Sequence, residues 1–99
     1  MYDAARLGTT QTVACTATSA GITNPFGPQT RRIRMVANSA CHVRIGDGAQ
    51  TATTSDPYLP SGWVDYVVVT PGQSLAVIRA ATDGLVTATN GTLNITEMA

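Results

Sequence analysis

Residues 31–45 read Arg31-Arg32-Ile33-Arg34-Met35-Val36-Ala37-Asn38-Ser39-Ala40-Cys41-His42-Val43-Arg44-Ile45. Ile33, Met35 and Ala37 alternate with Arg32, Arg34 and Val36. After Asn38-Ser39-Ala40, Cys41, Val43 and Ile45 alternate with His42 and Arg44. A period of two is the signature of a half-buried β-strand, because successive side chains point to opposite faces. The stretch therefore predicts two strands around a tight polar turn, paired as an antiparallel hairpin and closed by Gly46-Asp47-Gly48. On this reading Arg32, Arg34, His42 and Arg44 share one outward, cationic stripe.

The same pattern extends in both directions. Thr12–Thr18 alternates Val13, Cys15 and Ala17 with Thr12, Ala14, Thr16 and Thr18. Ser19–Gln29 holds Gly21, Pro25, Gly27 and Pro28 and reads as a loop, with Phe26 placed to plug an end of the core. Ala49–Thr54 is expected to be short and extended. Trp63–Thr70 has high β-branched density and becomes apolar on both faces, which predicts a central strand. Pro71-Gly72 turns the chain into Gln73–Ala80. Leu85–Thr89 and Thr92–Thr96 flank Asn90-Gly91, a two-residue hairpin signal that places Val86, Ala88, Leu93 and Ile95 inward. Seven to eight short strands at this spacing predict an all-β domain, an antiparallel β-sandwich or jelly-roll-like barrel. Residues 12–99 form that domain, and residues 1–11, polar or small and unpatterned, form an extended N-terminal arm or an early edge strand.

Composition narrows the function. The 99 residues are 43% hydrophobic and only 12% charged, with zero formal net charge. That charge content is about half the usual share for a soluble domain, so threonine, serine and asparagine must cover the surface, or other subunits must. The basic residues are all arginine, the side chain best suited to interfaces, although a GC-rich coding sequence gives the same bias. Zero net charge and no aromatic platform beside Arg31, Arg32 and Arg34 argue against nucleic-acid binding. No apolar run approaches the ~18 residues that span a membrane. Met1–Arg6 lacks the apolar segment of a signal peptide, which favours a cytosolic origin and free, buried thiols at Cys15 and Cys41.

No catalytic, cofactor or metal constellation is legible. His42 is the only histidine, and its strand neighbours Cys41 and Val43 point to the other face. Cys15 and Cys41 are too far apart for a CxxC redox motif. Gly46-Asp47-Gly48 lacks the further ligands of a calcium loop. The chain reads as a non-enzyme that works through its surface. Tyr58 and Trp63, flanking Pro60-Ser61-Gly62, and Arg32, Arg34 and Arg44 are candidate protein-interface residues.

Four segments carry a resemblance: Arg32–Gly46, Thr51–Pro60, Val69–Ile78 and Gly91–Met98. In that order, and over nearly the whole chain from Thr12, the sequence resembles the roughly 100-residue structural proteins of tailed bacteriophages and prophages, of which capsid decoration (cement) proteins are one kind. The resemblance implies a virion component, made in the bacterial cytoplasm, that binds the major capsid protein on the outer capsid surface and stabilises the shell. By analogy it implies a homo-oligomer, favouring a trimer, and an extended arm at Met1–Gln11, on which Tyr2 and Arg6 are further candidate interface residues. It supplies no functional residues. A tail, neck or fibre component is the alternative within the virion. A carbohydrate-binding host-attachment module, using Trp63 and Tyr58, is the alternative of a different class.

Overall fold

The computed structural model describes residues 7–83 and 86–98. Tyr2 and Arg6 lie outside the described residues, with the rest of Met1–Arg6 and with Gly84, Leu85 and Ala99. The described chain is all-β and contains no helix. Its strand segments are β1 (Leu7–Cys15), β2 (Ala20–Gly21), β3 (Arg32–Ala37), β4 (Cys41–Gly46), β5 (Tyr58–Leu59), β6 (Asp65–Val68), β7 (Ser74–Arg79), β8 (Thr82–Asp83), β9 (Val86–Thr87) and β10 (Gly91–Met98). Two antiparallel four-stranded sheets run in the orders β1-β10-β3-β6 and β2-β7-β4-β5, and β8 pairs with β9. Leu7–Gln11 belong to β1, whose register with β10 shifts between Leu7 and Thr10.

The sheets face each other across one apolar core. Val13, Cys15, Ile33, Met35, Leu93 and Ile95 enter it from the first sheet, and Cys41, Val43, Leu59, Leu75 and Val77 from the second. Full burial of such a side chain contributes about 1.5–3 kcal/mol, so these alternating sets drive the stacking. Phe26 is buried at one end. Its N–H donates to the Gln73 carbonyl at 2.9 Å, and its carbonyl accepts from the Gly72 N–H at 3.0 Å. The Glu97 carboxylate holds the same loop, accepting from the Gly27 N–H at 3.0 Å and from the Thr30 hydroxyl.

The structure differs from the sequence expectation at several places. Residues 31–45 are not a hairpin: β3 pairs with β10 and β6, while β4 pairs with β7 and β5 in the other sheet. Asn38-Ser39-Ala40 is an arch that carries the chain across the core. The Asn38 side-chain oxygen accepts from the Thr92 N–H at 2.7 Å, the Asn38 N–H donates to the Thr92 carbonyl at 3.2 Å, and the Ala80 N–H donates to the Ala40 carbonyl at 3.0 Å. Asn90-Gly91 is likewise no hairpin turn, since β10 pairs with β1 and β3 and β9 with β8. Gly91 serves close approach: a Cβ there would come within 2.5 Å of the Ser39 hydroxyl and collide with Asn38. Val86, expected inward, is exposed. The strand in Trp63–Thr70 is not central, because β6 is the last strand of its sheet.

Candidate interaction site

The two lateral flanks of the stack are built differently. On one, β1 lies over β2 and β7. The Gln11 amide spans the gap to the loop after β2, donating to the Asn24 carbonyl at 2.9 Å and accepting from the Asn24 N–H at 3.1 Å. The Arg79 N–H of β7 donates to the Thr16 carbonyl at 2.9 Å. Backbone and side chain together close this flank.

On the opposite flank, β6 of the first sheet faces β5 and the edge of β4. The link between β5 and β6 crosses at one end, where the Gly62 N–H donates to the Ala37 carbonyl at 2.8 Å. Elsewhere the sheets part around a cleft of about 420 Å³. Its floor is apolar (Met35, Val43, Ile45, Leu59 and Val67), and Arg44, Asp56 and Asp65 are among its polar lining.

The outer rim of this cleft is the edge strand β6. The Val69 N–H donates to the Arg31 carbonyl at 2.9 Å, and the register pairs Ile33 with Val67 and Met35 with Asp65. Antiparallel geometry alternates bonded and non-bonded pairs, so Val67 and Asp65 turn their main-chain groups toward β3. Tyr66 and Val68 turn theirs away, toward an edge that no other strand covers among the described residues. Their side chains stand on the outer face, Val68 80% and Tyr66 61% exposed, and Trp63, in the link before them, is 63% exposed. Val64 is also exposed.

The structure separates the expected cationic stripe into two. Arg32 and Arg34 lie on the outer face of the first sheet, in register with Val68 and Tyr66. His42 and Arg44 lie on the outer face of the second sheet, in register with Ile78 and Ala76. The arch at 38–40 is the cause: a chain that crosses the core keeps its apolar residues inward but puts its polar residues on opposite surfaces. Tyr58, half exposed, packs edge-on against His42 at a centroid distance of 5.5 Å.

The polar rim is structural. The Asp56 carboxylate accepts from the Thr53 N–H at 2.7 Å and from Arg44 Nη1 at 3.2 Å. The Thr53 bond first, and then the Arg44 guanidinium, hold its carboxyl below the usual carboxylate value. His42 Nδ1–H donates to the Asp56 carbonyl at 2.8 Å. Asp56 and Asp65 both line the cleft, and Thr53 and Arg44 engage the Asp56 carboxylate. Among the described residues, no three His, Cys, Asp or Glu side chains form a metal-binding group, and no helix is long and apolar enough to cross a membrane.

Cys15 and Cys41 are free and wholly buried, meeting across the core from opposite sheets. The Cys41 thiol is pushed up, first by its hydrogen bond with Cys15 and then by burial. These thiols pack the interior beside the arch and contribute no surface chemistry.

Tyr66, Val64 and Val68 were not among the candidates legible in the sequence. The available signal was the doubly apolar end of Trp63–Thr70, which reads the same for a buried central strand and for an edge strand with an apolar outer face. Comparison with protein-family models, curated proteins and solved structures found no match to this chain.

Proposed function

We propose that this chain is a non-catalytic assembly protein, and specifically a bacteriophage virion component of the capsid decoration type, which binds the outer surface of the major capsid shell and stabilises it. On this reading the two stacked sheets are a β-sandwich with a jelly-roll-like outline, and the segment 1–11 contributes Tyr2 and Arg6 to the contact with neighbouring subunits. The observation that carries the proposal is the apolar open flank on a chain with only 12% charged residues and zero net charge. Exposed apolar edges of this kind mark interaction sites. Arg32 and Arg34, on the outer face beside β6, supply polar, directional contacts at its border. Repetition over a shell makes modest affinity per site sufficient.

Quantitative peptide mass spectrometry of purified particles from cells carrying this gene tests the reading. A ratio to the major capsid protein near one, or a simple fraction of it, is expected. A ratio of a few per cent would transfer the chain to a tail, neck or fibre, and absence from particles would remove it from the virion.

A second reading, a carbohydrate-binding attachment module, is favoured by the exposure of Trp63 and Tyr58. It predicts that replacing both with alanine abolishes glycan binding and leaves particle stability unchanged.

A further inference from the structure

We infer that β6 is a self-pairing edge: two copies of this chain join antiparallel along it about a two-fold axis through Val67, extending the first sheet across the dimer. This inference does not depend on the virion reading.

Three observations carry it. The first is hydrogen-bonding parity. Val67 and Asp65 are satisfied by β3, while Tyr66 and Val68 direct their N–H and C=O groups to an edge that is open among the described residues. Two outward residues separated by one inward residue are self-complementary. With Tyr66 opposite Val68 of the second copy, each pair exchanges both main-chain bonds, and the two Val67 residues meet as the non-bonded pair at the centre.

The second is side-chain chemistry in that register. Tyr66 and Val68, the two most outward residues of β6, come to lie beside Val68 and Tyr66 of the second copy. Aromatic and β-branched residues make favourable cross-strand pairs. Asp65 falls opposite Val69 of the second copy, so no like charges are opposed. On the inner side, the half-buried Val67 borders the cleft, and Val67 of the second copy covers its mouth with a further apolar group.

The third is the contrast with the other sheet edges. β2 and β5 are two residues long, and β1 is interrupted between Leu7 and Thr10, with Gln11 tied to Asn24. Short, bulged or side-chain-covered edges resist strand addition. β6 carries no bulge or proline. A β6-to-β1 contact would run head to tail and generate rings such as the trimer implied by analogy. The two-fold contact generates a closed dimer.

The contact is short, so association is weak, with a dissociation constant expected between about 10 µM and 1 mM. Sedimentation equilibrium of the full chain over that range tests it, with V68K and, as control, V86K, which changes another exposed valine, on β9. A monomer–dimer equilibrium is expected, weakened at least tenfold by V68K and unchanged by V86K, with both variants retaining the wild-type unfolding midpoint at monomeric concentration. In a mixed-labelled sample, isotope-filtered NMR should show contacts between the Tyr66 ring of one copy and the Val68 methyls of the other. A chain that stays monomeric up to 1 mM, a trimer, or a dimer indifferent to V68K would overturn the inference. So would a dimer without the Tyr66–Val68 contact.

Discussion

Where β1 lies over β2, a side chain stands in for backbone: Gln11 makes both strand-like bonds to Asn24, and Arg79 reaches across to Thr16. Where β6 lies over β5, nothing comparable spans the middle of the gap among the described residues. A cleft opens onto Met35, Val43 and Leu59, and the strand at its rim turns Tyr66 and Val68 to solvent. The two flanks belong to the same pair of sheets and draw on the same core. The difference teaches that the two sheets share one core while, among the described residues, only one flank is bridged across its middle. Closure costs side-chain and loop entropy, and the flank left open keeps main-chain and apolar groups available to a partner.

Substitutions separate the two flanks by energy. Leu93→Ala, at a fully buried position between β1 and β3, is expected to destabilise the fold by about 3 kcal/mol in urea titrations. Val68→Ala on the open rim should change monomer stability by less than about 0.5 kcal/mol. Equal effects at the two positions would mean that β6 is as integral to the fold as β10.

Gly91→Ala drives a Cβ against Asn38 and Ser39 under the arch. A cost of about 2 kcal/mol is expected from the overpacking, with loss of amide protection at Thr92. A neutral result would show that the arch is pliable and that close approach is not what selects glycine there.

Gln11→Ala removes both bonds to Asn24 on the closed flank. A loss of about 1 kcal/mol is expected, since net contributions of such bonds are small, with faster amide exchange at Asn24. A variant that kept full protection at Asn24 would show that closure rests on the backbone contacts alone.

The smallest effect concerns the open flank's polar rim. The Asp56 carboxyl is held below its usual value of 3.8, first by the Thr53 N–H. A group with a depressed folded-state pKa contributes stability that is present above the unfolded value and lost as pH falls through the folded one. The turn at 53–56 should therefore hold at neutral pH and loosen progressively as pH drops below 3.8. Following the Thr53 amide resonance against pH checks this. Asp56→Asn should flatten the acid-range response while leaving core resonances in place.

These residues also show how far the sequence could be read. Ile33, Met35, Ala37, Cys41 and Val43 are all buried, as alternation predicts. Alternation encodes which face a residue takes but not which strand lies beside it. A hairpin and an arch bury the same residues, and long-range partners distinguish them: β3 and β4 pair in different sheets, and Asn38 grips Thr92. For that reason Arg34 and Arg44, read as neighbours, occupy opposite surfaces. Asn90-Gly91 misled for a related cause: glycine tolerates close packing as well as tight turns, and the atoms that crowd Gly91 come from residues far away in sequence. The interaction site was legible only in part. Trp63 and Tyr58 stood out as aromatics near a turn. Tyr66 and Val68 did not, because an apolar outer face on an edge strand carries the same letters as a buried one.

Residue-resolved amide hydrogen exchange on the monomer tests the central claim most directly, that one flank is closed and the other open. The account predicts fast exchange at Tyr66 and Val68, slow exchange at Val67 between them and at Ile95, and protection appearing at Tyr66 and Val68 on assembly. Slow exchange at all four amides in the monomer would contradict it, since β6 would then already have a partner on its outer edge.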